Sequence, residues 1–130
     1  MKKEATSWYS MMDQMPGDVA SEIALLSSII QDPGAAKATC LDIVKAEWFK
    51  HPGCKKLLRG IQELSTNSDS ITTGTLEPYV DDSFSKADIN ILFFGKEYTD
   101  PSALMTHFGR VLDVYRRRVF WEEACWIFEH

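Results

Sequence analysis

Apolar positions along this chain recur at helical spacing and are cut by short polar stops. Ile23, Leu26 and Ile30 fall at i, i+3 and i+7, with Leu25 and Ile29 widening the stripe, which predicts a core-facing helix opened by Asp18. Asp32-Pro33-Gly34 ends it, because proline disfavours helical geometry in the residue before it. A second helix is expected to carry Ala36, Cys40, Ile43 and Val44 inward, followed by Trp48 and Phe49 as a bulky plug. Pro52 suits the first turn of a third helix. Its apolar positions, Cys54, Leu57, Leu58, Ile61 and Leu64, form the cleanest helical stripe in the chain.

Ser65–Ser70 contains no apolar residue and reads as a loop. A short helix from Thr72 or Thr73 is expected to bury Leu76, Tyr79 and Val80, with Pro78 inside it. Ser85 and Asp88 resemble a capping box, and the helix after them presents Ile89, Leu92 and Phe93 before stopping at Gly95. Thr99-Asp100-Pro101 supplies a cap and a first-turn proline for the last helix. Only Gly109 interrupts that element, which is about 43 Å long if helical throughout. No alternating strand pattern of useful length is present. The expected fold is all-α: an N-terminal arm (1–15), a helical globular subdomain (16–100) and a long C-terminal helix (101–130).

That last helix changes character along its length. Leu104, Phe108, Val111, Leu112 and Tyr115 make one stripe that can dock on the body. Beyond Arg118, eight of the ten residues Val119 to Phe128 are apolar: Val119, Phe120, Trp121, Ala124, Cys125, Trp126, Ile127 and Phe128. A helix apolar on every side is normally buried on every side. It is either the central rod of a bundle, or it projects and packs on a helix from another subunit or from further sequence. The absence of a C-cap at His130 favours the second arrangement and a domain cut from a longer protein.

Composition narrows the function classes. The 130 residues suit one domain, and 45% apolar content with seven Phe, four Trp and four Tyr is ample for a core. No apolar run reaches the ~20 residues of a membrane span, and no signal peptide is evident, so a cytoplasmic protein is expected. The net charge of −5 argues against gripping a phosphate backbone, so little direct DNA binding is expected. Cys40, Cys54 and Cys125 are too few and too widely spaced for a disulfide framework.

Candidate chemistry is sparse. The seven glycines are scattered and none opens a phosphate-binding loop. His51 and Cys54 have ligand-like spacing, but no second pair completes a zinc site, so no metal and no cofactor are expected. Asp81-Asp82 and Glu122-Glu123 are adjacent pairs whose members do not face one another. Arg116-Arg117-Arg118 reads as a solvated helix face or as a contact for an acidic partner or passing DNA, and Lys55-Lys56 as surface. No catalytic residue is assigned.

In order, the motifs resemble the N-terminal domain of the bacterial replicative DNA helicase of the DnaB type. Pro16, Ala20-Ser21-Glu22 and Leu25-Leu26-Ser27-Ser28-Ile29-Ile30 stand where that family has Pro, a Glu-Ala-Glu-like start and an apolar run, with Ser27 and Ser28 at its small Gly positions. Glu47-Trp48-Phe49, Cys54, Leu57-Leu58 and Leu64 look like its acidic-Phe-Tyr, His, Ile-Phe and Leu series, with Cys54 in place of His. Ile71-Thr72-Thr73-Gly74-Thr75-Leu76 is similar to its Ile-Asp-x-x-Thr-Leu element without the Asp. The family's next region has no counterpart in Ser83–Phe94; likeness returns at Asp100-Pro101-Ser102 and Phe108–Arg118, so about three-quarters of the chain is covered.

The resemblance implies a non-catalytic helical globule followed by a hairpin, of which the long helix is the first arm. It implies pairing of subunits into a collar and recruitment of primase or a helicase loader during DNA replication. The expected association surface is Phe108, Val111, Tyr115, Val119, Phe120, Trp121, Trp126, Ile127 and Phe128, with Arg116, Arg117 and Arg118 making polar contacts to a partner. Related alternatives are the helicase-binding domain at the primase C-terminus and a free-standing phage or plasmid helicase adaptor.

Overall fold

The computed structural model describes residues 18–95 and 101–129, and all regular structure among them is helical. The expected arm (1–15) and the Thr99-Asp100 cap lie outside the described residues. Six α-helices follow in order: α1 (Val19–Gln31), α2 (Pro33–Thr39), α3 (Pro52–Thr66), α4 (Thr73–Leu76), α5 (Lys86–Phe94) and α6 (Pro101–Glu129). Two 3-10 turns, Ala46–Trp48 and Glu77–Tyr79, complete the body. Among the described residues no helix is long and apolar enough to cross a membrane.

The central rod is α1. Every residue from Glu22 to Ile29 is buried, and α2, α3, α5 and α6 all pack on it. Such a helix must settle its own polar groups. Ser28 Oγ donates to the Ala24 carbonyl (2.9 Å), and Ser27 Oγ donates to Ile91 O at the end of α5 (2.7 Å). Gln31 Nε2 adds a bond to Gly95 O (2.8 Å), so α1 side chains terminate α5. The Glu22 carboxylate, 2% exposed, accepts the backbone N–H groups of Lys50 and His51, each at 3.0 Å. It thereby fixes the entry to α3.

The caps at Asp18 and at Ser85–Asp88 are as the sequence predicts. Asp18 accepts from the Ser21 amide (3.1 Å), and Ser85 and Asp88 form a reciprocal capping box. Asp32 serves two helices: its N–H closes α1 on Ser28 O, and its carboxylate opens α2 at Ala35. Pro78 sits in the 3-10 turn after α4, where its missing N–H disrupts no α-helical ladder. Helix α3 extends to Thr66, into the predicted loop, and stops where Ser68 adopts a left-handed φ of 60°.

The second helix differs from expectation. It ends at Thr39, and Ile43, expected inside, is 56% exposed. The Leu41 N–H bonds to Ala36 O, five residues back, which closes the helix and breaks its phase. Leu41 therefore turns fully inward in place of Ile43. Gln62 Nε2 clamps the turn by donating to Leu41 O (3.0 Å) and Val44 O (2.8 Å). Below it, Phe49 is fully buried, and Trp48 meets Phe108 edge-on at 5.6 Å and Tyr115 in a stack at 6.1 Å.

Candidate protein-interaction surface on the long helix

Among the described residues of α6 four are buried, Leu104, Val111, Arg118 and Cys125, and they are spaced seven apart. His107, Val114 and Trp121, three residues after the first three, are half-buried. This is the 3.5-residue period of a coiled-coil seam, which keeps one face turned inward along the helix. Leu104 and Val111 enter the core with Phe108, Leu112 and Tyr115 packed beside them.

At the third seam position the core is polar. Arg118, 8% exposed, sends Nη2 to Trp48 O (2.9 Å) and Glu47 O (3.3 Å), and its guanidinium lies 5.5 Å from the Tyr115 ring centre. The carbonyl end of the 46–48 turn is thus neutralised by a cation from α6. At the other end of the docked half, Arg110 Nε reaches Asp18 Oδ2 at 3.0 Å. The Ser21 hydroxyl, assisted by the Ser21 amide and Arg110, holds the Asp18 carboxyl below its ordinary value.

Three members of the expected association surface are therefore corrected. Val111 belongs to the protomer's own core, Arg118 is a structural clamp, and Tyr115 is committed to Trp48 and Arg118. Phe108, half-buried against Trp48, is largely used internally as well. Arg117 pairs with Asp113 one turn back (3.0 Å) and is exposed, as is Arg116.

The distal half has two different sides. Cys125 is 4% exposed and Val119, Trp121 and Ala124 are half-buried, while Phe120, Trp126, Ile127 and Phe128 are 61–68% exposed. Phe120 and Ile127 are seven apart and share one outward stripe, flanked by Trp126 and Phe128. A cluster of four large apolar side chains on one helix end is the kind of patch that marks a protein contact.

The His and Cys that have ligand-like spacing are engaged in structural contacts. His51 caps α3 by accepting the Cys54 N–H at Nδ1 (3.2 Å), and its Nε2–H donates to Ser83 O (3.1 Å) while the ring stacks on Phe84. Both ring nitrogens are engaged. Cys54 is fully buried, and burial, reinforced by Glu22, pushes its thiol far above the ordinary value. A thiol held neutral is a poor nucleophile and a poor metal ligand. Among the described residues no three His, Cys, Asp or Glu side chains converge as metal ligands. The Asp81 carboxylate accepts from the Ser83 hydroxyl and amide, which hold it below the usual carboxylate range.

Sequence reasoning missed the roles of Glu22 and Arg118, since charged residues read as surface, and gave no place to Phe84, which is 5% exposed. The heptad spacing of Leu104, Val111, Arg118 and Cys125 was the available signal for the clamp. Comparison of the chain with known protein families, with characterised proteins and with solved structures finds no match.

Proposed function

We propose that this chain is a non-catalytic assembly and recruitment domain, of the kind found at the N-terminus of DnaB-type replicative helicases. The observation that carries the reading is the division of α6. Its proximal half is anchored by Leu104, Val111 and Arg118, and its distal half presents Phe120, Trp126, Ile127 and Phe128. The order of motifs along the chain supports the finer assignment, and primase or a loader is the corresponding recruited partner.

Area arithmetic sets the strength of such pairing. Burying one large apolar side chain is worth roughly 1.5–3 kcal/mol. Four of them, each about two-thirds exposed, supply roughly 6 kcal/mol per protomer, and an isologous pair doubles this. Association costs about 4–15 kcal/mol, which leaves at most about 8 kcal/mol, a dissociation constant of about 1 μM or weaker. The dimer is accordingly reversible.

Light scattering across a concentration series tests the pairing. The wild type is expected to move from monomer to dimer in the micromolar range, and Phe120→Glu to stay a folded monomer. A wild type that is monomeric at every concentration, or a Phe120→Glu variant that still dimerises, contradicts the proposal. Titration calorimetry against a primase helicase-binding domain and against a helicase collar then separates the finer readings. Binding to primase favours the helicase assignment, and binding to the collar favours a primase domain or adaptor.

A further inference from the structure

A second apolar surface lies away from α6. Between α4 and α5 a groove of about 240 Å³ is lined by Val80, Ile89, Phe93 and Phe94 and by the Thr73-Gly74 start of α4, with Glu77 at its edge. Almost none of its lining is polar, and Phe94 is 71% exposed. The volume falls below the roughly 300–1,000 Å³ of small-molecule pockets, and suits a few apolar side chains from a docked segment.

The charge around it is segregated. Between Gly60 and Gly95 there are six carboxylates, Glu63, Asp69, Glu77, Asp81, Asp82 and Asp88, against the single Lys86. This stretch carries the chain's entire net charge of −5; the rest of the sequence is balanced. The ion pairs found among the described residues, Lys37–Asp42, Arg110–Asp18 and Arg117–Asp113, use none of the six. At the neighbouring 77–79 turn, burial, followed by the Glu63 and Asp69 carboxylates, pushes the Tyr79 phenol above its ordinary value. Of these carboxylates Glu77 stands at the groove itself, while Asp88 is engaged in the α5 cap and Asp81 feels Lys56 of α3. An apolar groove set in a net acidic stretch repels nucleic acid and acidic lipid, and attracts a cationic partner with an apolar face.

We propose that the α4–α5 groove docks a basic amphipathic helix of another protein. Apolar residues of that helix at i, i+3, i+4 and i+7 seat against Ile89, Phe93 and Phe94, and its Lys and Arg residues lie toward Glu77. This surface is separate from the α6 patch, so either reading can fail without the other.

The probe is a fluorescein-labelled Leu/Lys amphipathic peptide of about 18 residues, five helical turns, titrated by anisotropy into the full chain. A Leu/Glu peptide of the same pattern serves as control. The Leu/Lys peptide is expected to bind and the Leu/Glu peptide not to. Phe94→Ala and Glu77→Lys are expected to weaken binding about tenfold each, the scale of losing one well-placed contact. Raising salt from about 50 to about 500 mM is expected to weaken it further by screening. Circular dichroism checks that both variants remain folded; Phe94 and Glu77 are exposed, so folding does not depend on them. Equal binding of the two peptides, or Leu/Lys binding indifferent to both substitutions, overturns the proposal. So does a loss of self-association in Phe94→Ala, which would make a second copy of this chain the occupant of the groove.

Discussion

Replacing Arg118 with Met tests whether the long helix is clamped as described. The substitution keeps most of the apolar stem and removes the guanidinium. The buried Trp48 O and the partly buried Glu47 O then lose a charged donor. Hydrogen bonds to charged groups contribute about 1.5–3 kcal/mol, and the contact over Tyr115 adds about 0.5–1 kcal/mol. Relief from burying a charge offsets part of this. A net loss of about 2–4 kcal/mol is expected, or a Tm lowered by about 10 °C for a chain of this size. Arg118→Lys, which retains charge without the planar fork, is expected to lose about half as much.

Urea unfolding followed by circular dichroism measures the effect, with Arg116→Met as the control. Arg116 is exposed, so its variant is expected within about 0.5 kcal/mol of wild type. An Arg118→Met protein as stable as wild type but weaker in self-association would refute the clamp and return Arg118 to the partner-facing role its sequence context suggests.

Two glycines predict opposite outcomes. A Cβ at Gly109 meets nothing within 4 Å, so Gly109→Ala is expected to raise stability by about 0.5–1 kcal/mol in a urea titration. A Cβ at Gly60 collides with the Tyr79 ring, so Gly60→Ala is expected to displace the 77–79 turn and lower stability by about 1–3 kcal/mol. Asp18, whose folded-state value is lowered, contributes stability that is present above its ordinary value of 3.8 and lost as pH falls through the folded value. Asp18→Asn keeps the cap but is expected to flatten the stability–pH curve in that window; an unchanged curve would show that Asp18 is not held by Ser21 and Arg110. Trp121→Glu places a charge on the half-buried seam and is expected to destabilise the fold, whereas Phe120→Glu is expected to leave unfolding unchanged.

Much of the fold is legible in the sequence because its helices are delimited by local chemistry. Asp18, Asp32, Pro52, Thr72 and Ser85 each act within three or four residues, and each begins a helix as its side chain dictates. The failures share a physical origin in long-range polar contacts. Glu22 meets Lys50 and His51 across nearly thirty residues, and Arg118 meets Trp48 across seventy. Periodicity registers apolar burial alone, so it leaves both charges outside. The misplacement of Ile43 arises differently, from extrapolating a 3.6-residue phase through a helix that the Leu41–Ala36 bond had already closed.

The candidate surface was legible only in part, and the reason bears on its role. A stretch apolar nearly all round, from Val119 to Phe128, does not by itself tell which side chains serve the body and which face outward. The seam resolves this, because Arg118 fixes the rotation of the helix and Cys125 follows one heptad later on the same side. Phe120 and Ile127 are then forced to the opposite side. A helix needed only for stability gains nothing from large apolar residues there, where Lys or Glu would serve solubility better. Under the proposed assembly role a partner covers them on the side that the clamp turns outward, and the anchoring of α6 at Arg118 is then a precondition of assembly as well as a contribution to folding.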